Sequence, residues 1–266
     1  INFFHSSDLS NNLLRRIPYN TFKNMDKLEI INLADNLISG SFYLPESVSQ
    51  LVIKHNFLSS TDAKVILKGL KRLRKLDLSF NNLTHIHKGT VEGLTDQLTN
   101  LYLDGNELET ISDGTFKQFK ILQRCTLRWN NLTSVPDLTG PMVFVNLKLD
   151  SNRIKDISRL ATSGIKHLFE LLLASNEIDY LPPNIFQNIF IMDSIDLSFN
   201  KLQSIPDGLF NKLGKLQTLM INFNNISNIN NRTFEGLSSL KTLMLIKNKL
   251  TFISNGAFDE TALQSV

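Results

Sequence analysis

A chain of 266 residues that is 42% hydrophobic is long enough for one or two globular domains with a substantial core. Its net charge of +3 is too small for a general nucleic-acid binder. The single cysteine excludes a disulfide within the chain. No apolar run reaches the length of a membrane span, and the first residues lack the pattern of a signal peptide.

An internal repeat dominates the sequence from Phe4 onward. The pattern Leu-x-x-Leu-x-Leu-x-x-Asn-x-Leu predicts one continuous array over residues 1–266 rather than separate globular domains. Eleven repeats begin at Phe4, Leu28, Val48, Leu73, Leu98, Leu122, Phe144, Leu168, Met192, Leu216 and Leu240, and a twelfth opens at Leu263.

Position nine of each repeat is asparagine. The side-chain amide of asparagine can both donate and accept hydrogen bonds. It can therefore satisfy buried backbone N–H and C=O groups where the chain turns after a strand. We therefore expect a structural asparagine ladder formed by Asn12, Asn36, Asn56, Asn81, Asn106, Asn130, Asn152, Asn176, Asn200, Asn224 and Asn248.

The rest of each repeat is also regular. Positions three to seven predict a short strand, with positions four and six facing the core and positions three, five and seven facing outward. Position fourteen is usually aliphatic. Position nineteen is Phe in six repeats, which indicates a buried aromatic row: Phe22, Phe116, Phe186, Phe210, Phe234 and Phe258.

This pattern resembles the typical, 24-residue class of extracellular leucine-rich repeats, as in Toll-like receptor, chaoptin-like, slit-like and small leucine-rich proteoglycan ectodomains. The resemblance implies an α/β repeat solenoid, a horseshoe with a concave parallel β-sheet and a mostly irregular or short-helical convex side. Those families seal both ends of their arrays with disulfide-bonded caps, each of which needs a cluster of cysteines. This chain has no such cluster at either end. We therefore expect an internal fragment of a longer extracellular or cell-surface protein, attached to a membrane only through segments outside this chain.

Three functions are compatible with such an array. The first is a receptor or adhesion ectodomain, a glycoprotein that binds a protein ligand or co-receptor on its concave face and serves signal transduction. The second is a secreted extracellular-matrix protein that binds fibrils or polysaccharide. The third is a regulatory repeat domain of a larger enzyme.

Two clusters on the expected concave face are candidates for partner binding, because exposed aromatic, Arg and Met side chains are frequent at binding hot spots. The alternative, called the filler interpretation below, is that Ser-Phe-Asn is a common repeat sequence in which the Phe ring only packs on neighbouring side chains. Repeats four to six contribute Phe80, Tyr102, Arg124, Arg128 and Trp129, and repeats nine to eleven contribute Phe199, Met220, Phe223, Met244 and Ile246.

Repeat three contains a cationic segment. Val65, Ile66, Leu70 and Leu73 lie at helical spacing, with Ser60 or Thr61 as the expected N-cap. The segment is either a solvated helix or a site for an anionic partner such as a sulfated polysaccharide. Its cations are Lys64, Lys68, Lys71, Arg72, Arg74 and Lys75.

The remaining motifs indicate no chemistry. Cys125 replaces leucine at an inward position and is expected to be a buried hydrophobe. His85 and His87 lack a third metal ligand, and the sequence shows no catalytic motif or cofactor loop, so we expect no enzymatic activity, metal or cofactor. Candidate N-glycosylation sequons, whose number is no more than chance predicts, begin at Asn82, Asn131, Asn225 and Asn231.

Overall fold

The computed structural model describes residues 5–94 and 97–263, so Phe4, the first residue of repeat one, lies outside the described residues. The chain divides into two compact units. The N-terminal unit ends at Asn131, and the C-terminal unit starts at Leu132. Each unit is a stack of turns joined by parallel strands with little helix, which confirms the predicted leucine-rich-repeat fold class.

In the N-terminal unit, six parallel strands lie side by side in chain order within the described residues. They are β1 (Ser6–Asp8), β2 (Ile30–Asn32), β3 (Gln50–Val52), β4 (Lys75–Asp77), β6 (Asn100–Tyr102) and β8 (Arg124–Thr126). On the other side of the turns are the helix α1 (Ser60–Ile66), a 3₁₀ segment (Lys88–Thr90) and a two-stranded sheet of β5 (His85–Ile86) and β7 (Thr110–Ile111).

The C-terminal unit repeats this plan with five parallel strands in its described part. They are β9 (Val143–Lys148), β10 (His167–Leu172), β11 (Ser194–Asp196), β12 (Thr218–Met220) and β14 (Thr242–Met244). A 3₁₀ segment (Ser158–Thr162) and the paired strands β13 (Asn228–Ile229) and β15 (Phe252–Ile253) lie opposite.

Most strands of the main sheet cover positions three to five of their repeats, two residues fewer than predicted. The prediction that position seven faces outward is wrong in several repeats. Ala34, Ser79 and Ser198 at this position are buried, with 3–5% of their surface exposed. The period-two alternation of side chains requires extended backbone, and the chain already begins to turn at this point.

The asparagine of position nine connects each turn to the one before it. The Oδ1 of Asn81 accepts from the backbone N–H of Leu58 at 3.0 Å. Its Nδ2 donates to the carbonyls of Ile53, Leu78 and Ser79 at 3.0–3.3 Å. One side chain thus satisfies four backbone groups, two of them in the preceding repeat. The same two bonds to the preceding repeat recur at Asn36, Asn56, Asn106, Asn130, Asn176, Asn200, Asn224 and Asn248.

Five of the six phenylalanines of position nineteen lie in the core, as the sequence predicts, and Phe258 is half-buried. Phe22, Phe116, Phe186, Phe210 and Phe234 are at most 2% exposed. Rings of adjacent repeats pack at centroid distances near 6 Å, as in the pair formed by Phe186 and Phe210 at 6.1 Å. This row supports each turn on the side away from the main sheet.

The helix α1 differs from the prediction at both ends. Its N-cap is Ser59, neither Ser60 nor Thr61, because the Ser59 hydroxyl accepts from the N–H of Asp62 in a capping box. The helix ends at Ile66, and Gly69 follows with a φ of +85° that helical backbone cannot adopt. Leu70 and Leu73 are buried in the turn beyond the helix rather than on a helical face.

Candidate ligand-binding face

Position eight, the residue just before each ladder asparagine, has a left-handed backbone throughout both units. In the described residues, every non-glycine residue with a positive φ occupies this position, with values between 51° and 58°. They are Asn11, Asp35, His55, Phe80, Trp129, Ser151, Ser175, Phe199, Phe223 and Lys247, and Gly105 has a φ of 61°.

A left-handed backbone costs about 1–2 kcal/mol for most residues, and asparagine, aspartate and glycine tolerate it best. Bulky aromatic residues at this position therefore carry a conformational cost that Asn11 and Asp35 largely avoid. Because bulky side chains are uncommon in this conformation, their occurrence here makes the aromatic residues of position eight the candidate site.

Three aromatic side chains of position eight form a continuous row on the N-terminal unit, here named the aromatic row: His55, Phe80 and Trp129. The rings of His55 and Phe80 stack at a centroid distance of 4.3 Å and an interplanar angle of 4°. Phe80 then faces Trp129 at 6.0 Å. The guanidinium carbon of Arg128 lies 4.3 Å from the Trp129 ring centroid, in cation–π contact.

Gly105 occupies position eight of repeat five, between Phe80 and Trp129 in the order of repeats. A Cβ atom on Gly105 would lie only 2.3 Å from Cδ1 of Phe80, so the Phe80 ring covers this glycine. The absence of a side chain at one position thus lets the aromatic row bridge two repeats. The sequence does not mark His55 or Gly105 as part of a site. Their only signal in the sequence is their position directly before a ladder asparagine.

The aromatic row is packed and yet open to solvent. Phe80 is 37% exposed and Trp129 is 47% exposed, while each contacts another ring. Rings held by their neighbours lose little rotamer freedom when a ligand covers them, so more of the contact energy remains as binding energy.

The other side chains predicted for this face surround the aromatic row. Tyr102 is half-buried and its Oη accepts from Nδ2 of Asn100 at 2.9 Å. Arg124 is exposed on β8. The backbone N–H of the half-buried Arg128 donates to a carboxylate oxygen of Asp104 at 2.8 Å, which fixes the chain next to Trp129.

The C-terminal unit carries a smaller apolar cluster at the same positions. Phe199 and Phe223 stack at 4.2 Å with an interplanar angle of 10°, so the rings pack on each other as the filler interpretation expects. They nevertheless remain 52% and 43% exposed. Met244 is exposed beside them on β14, and Met220 on β12 is half-buried.

Known proteins share both the repeat and the fold. A family model described as leucine rich repeat matches residues 46–96, 191–243 and 214–265. Lumican from Gallus gallus is 36% identical over 201 residues, which cover 72% of this chain and 56% of that protein. Lumican from Oryctolagus cuniculus is 35% identical over 135 residues, which cover 49% of this chain and 68% of that protein.

The chain belongs to the extracellular leucine-rich-repeat superfamily. The structure of Drosophila Toll in its complex with Spatzle has a TM-score of 0.77 at 21% identity, over 93% of this chain and 34% of that chain, and so shares the fold. The chain spans about half the length of chicken lumican. It is a leucine-rich-repeat scaffold of the extracellular space or cell surface. Among the described residues, no helix is both long and apolar enough to cross a membrane.

The predicted sequons of this leucine-rich-repeat chain differ in accessibility. Asn82 and Asn231 are exposed, whereas Asn131 and Asn225 are half-buried. Nδ2 of Asn82 reaches Oε1 of Glu107 at 3.5 Å, a weak contact that leaves the amide accessible to solvent. Glycosylation at these positions stays a prediction.

The remaining residues considered from the sequence lie outside the candidate site. Cys125 lies on the buried face of β8, and burial, together with the charge of Asp104, raises the pKa of its thiol, which keeps it protonated and unreactive. His85 and His87 contact each other at a ring-centroid distance of 4.4 Å. Within residues 5–94 and 97–263, no group of three or more metal-ligating side chains occurs.

Proposed function

We propose that this leucine-rich-repeat chain binds a fibrillar protein of the extracellular matrix through the aromatic row of its N-terminal unit. The observation that carries the proposal is the stacked, solvent-exposed arrangement of His55, Phe80 and Trp129 in a backbone conformation that disfavours such residues. The matrix ligand is favoured over a soluble receptor ligand because lumican, a matrix leucine-rich-repeat protein, is among the relatives at 35–36% identity.

The chemistry of the aromatic row suits a proline-rich fibril. Exposed aromatic rings arranged side by side form the surfaces on which proline-rich extended chains dock, since the stiff chain loses little entropy on binding. A collagen triple helix exposes proline rings along its whole length. The guanidinium of Arg128 beside Trp129 adds a donor for the backbone carbonyls of such a chain.

Binding to reconstituted collagen fibrils tests the proposal. Trp129 is the single tryptophan of the chain, so its fluorescence reports on the candidate site without a label. We expect fibrils to shift this emission and to co-sediment the chain. Replacing Phe80 and Trp129 with Ala should weaken co-sedimentation about tenfold or more, since hot-spot side chains contribute about 1–2 kcal/mol each.

The matched control is Phe199→Ala with Phe223→Ala, which removes two stacked, exposed rings at the same repeat positions of the C-terminal unit. We expect this pair to retain fibril binding within about twofold. Equal losses from both pairs would refute the placement of the site. Fibrils that neither co-sediment the unaltered chain nor change its fluorescence would refute the matrix ligand.

The receptor or adhesion function and the regulatory-domain function stay predictions. The likeness to Toll concerns the fold at 21% identity and carries no partner over to this chain.

A further inference from the structure

The N-terminal unit also has a groove lined with cations. This groove lies at the start of the strands, whereas the aromatic row lies beyond their ends. Lys71, Arg72 and Arg74 line a groove of about 450 Å³ where the chain enters β3 and β4. Among the described residues that line it, Glu29 is the single carboxylate. Position two, where this groove lies, and position eight are separated by roughly 20 Å of extended chain, so the groove and the aromatic row do not overlap.

A second groove extends this surface along α1. It has a volume of about 600 Å³ and is lined by Lys64, Lys68 and Lys71 with the exposed Val65. Lys71 borders both grooves, so the two form one basic surface. Glu46 and Glu92 also line the second groove. Counted over the described lining residues, the second groove has an excess of one positive charge and the first groove an excess of two.

The backbone beneath the second groove is closely packed. A Cβ atom on Gly93 would lie 2.6 Å from both the carbonyl oxygen of Leu67 and the backbone nitrogen of Gly69. Only glycine permits two turns to approach this closely. Lys68 lies between Leu67 and Gly69, the two residues that the backbone of Gly93 approaches. The cations are therefore presented from a fixed backbone rather than from a loose loop.

Most of these cations have no ion-pair partner among the described residues. Among the residues that the structure describes, Lys64, Lys68, Arg72 and Arg74 form no ion pair, and all four are exposed. In the C-terminal unit, by contrast, Lys155 and Lys201 share Glu177 at 3.6 Å and 3.0 Å. The positive potential of the basic surface is left for a partner.

We propose that the basic surface formed by Lys64, Lys68, Lys71, Arg72 and Arg74 binds a sulfated polysaccharide. A linear polyanion can contact cations in two connected grooves at once, which a single small anion cannot. Arg72 and Arg74 match sulfate oxygens with paired N–H donors, and the apolar lysine stems and Val65 can pack against sugar rings. The chain is extracellular or at the cell surface, where sulfated polysaccharides are accessible.

The test measures binding of a heparin decasaccharide to the full chain by calorimetry. Replacing Arg72 and Arg74 with Glu should weaken binding at least about tenfold and reduce the slope of log affinity against log salt by about 2, as for the loss of two phosphate contacts in nucleic-acid binding. The control, Lys212→Glu with Lys215→Glu, changes net charge equally at exposed sites of the C-terminal unit. It should alter the affinity less than threefold.

Additional probes separate the alternatives. All these side chains are exposed, so both pairs of variants should keep the melting temperature of the parent. Chemically desulfated heparin should not bind. A poly-glutamate peptide that binds as tightly as heparin would overturn the polysaccharide in favour of an acidic protein, and equal losses from both variant pairs would overturn the site. Collagen co-sedimentation should be unaffected by Arg72→Glu with Arg74→Glu, so a failure here leaves the fibril proposal standing.

Discussion

The sheet faces of the two units have the same backbone and different side chains. In the N-terminal unit, position eight carries the aromatic row and Gly105. In the C-terminal unit, the same left-handed position carries Ser151 and Ser175 before the phenylalanines. The strands β9 and β10 there expose an ion pair of Lys148 with Glu170 at 3.2 Å in place of stacked rings.

This difference separates the residues that build the turns from those that we propose contact a partner. The ladder asparagines make the same four bonds at Asn81 and at Asn200, whatever residue precedes them. The ladder bonds therefore do not depend on the side chain at position eight. Partner choice can vary between units while the stack remains the same.

Removing a ladder asparagine should have the largest effect on stability, and an equal one in both units. Asn106→Leu and Asn200→Leu each remove the partner of four backbone groups, so we expect a loss of about 3 kcal/mol in the free energy of unfolding for each. Urea denaturation followed by circular dichroism measures it.

The matched control for the ladder is Asn82→Leu, because Asn82 is exposed and its amide has only the weak contact with Glu107. We expect a change below about 0.5 kcal/mol. A large loss at Asn106 with none at Asn200 would show that the two scaffolds differ.

Filling the gap at Gly105 should have an intermediate effect, confined to the N-terminal unit. Gly105→Ala puts a Cβ into the Phe80 ring and strains a left-handed backbone, so we expect a loss of about 2 kcal/mol and a shift in Trp129 emission. Gly114→Ala is the control. Its φ is +73° but nothing lies within 4 Å of a new Cβ, so the loss should be about 1 kcal/mol with unchanged emission. Equal losses and equal spectra would contradict the packing of Phe80 over Gly105.

The smallest effect is expected from the ion pair of the C-terminal unit. Glu170→Gln removes the charge that Lys148 faces, while both side chains remain about 30% exposed. Solvent screens such pairs, so we expect a loss of about 0.5 kcal/mol that shrinks in 1 M salt. A loss comparable with that of a ladder asparagine would mean that charge pairing, rather than the ladder, stabilises this unit.

The repeating part of the fold follows from the sequence because every repeat restates the same local information. The spacing of the leucines, the ladder asparagines and the Phe of position nineteen each recur in the repeats. The parallel strands and the buried phenylalanines of position nineteen are therefore predictable from the sequence. The candidate site is less predictable. Phe80, Trp129 and Arg128 are recognisable by residue type, but His55 becomes part of the row only through its stacking on Phe80.

The errors have a common physical origin in backbone geometry that residue types do not encode. The alternating pattern predicts that the strand extends to position seven, whereas the chain begins to turn before this position. Residues at position seven are therefore buried in several repeats. The N-cap at Ser59 was missed because three consecutive hydroxyl residues, Ser59 to Thr61, all satisfy the composition rule. The sequence places Lys75 in the cationic segment, yet this residue lies on β4 with its Nζ 5.9 Å from the Tyr102 ring centroid, on the sheet face.

The left-handed backbone before each ladder asparagine has a consequence for engineering. Glycine or asparagine would relieve strain at Phe80, Trp129, Phe199 and Phe223, so a search for thermal stability would favour them there. The same exchange would remove the exposed side chains on which the proposed binding depends. Optimising these four places for heat resistance and optimising them for affinity are therefore opposed goals, and a library for new specificities should randomise them while leaving the rest of each turn untouched.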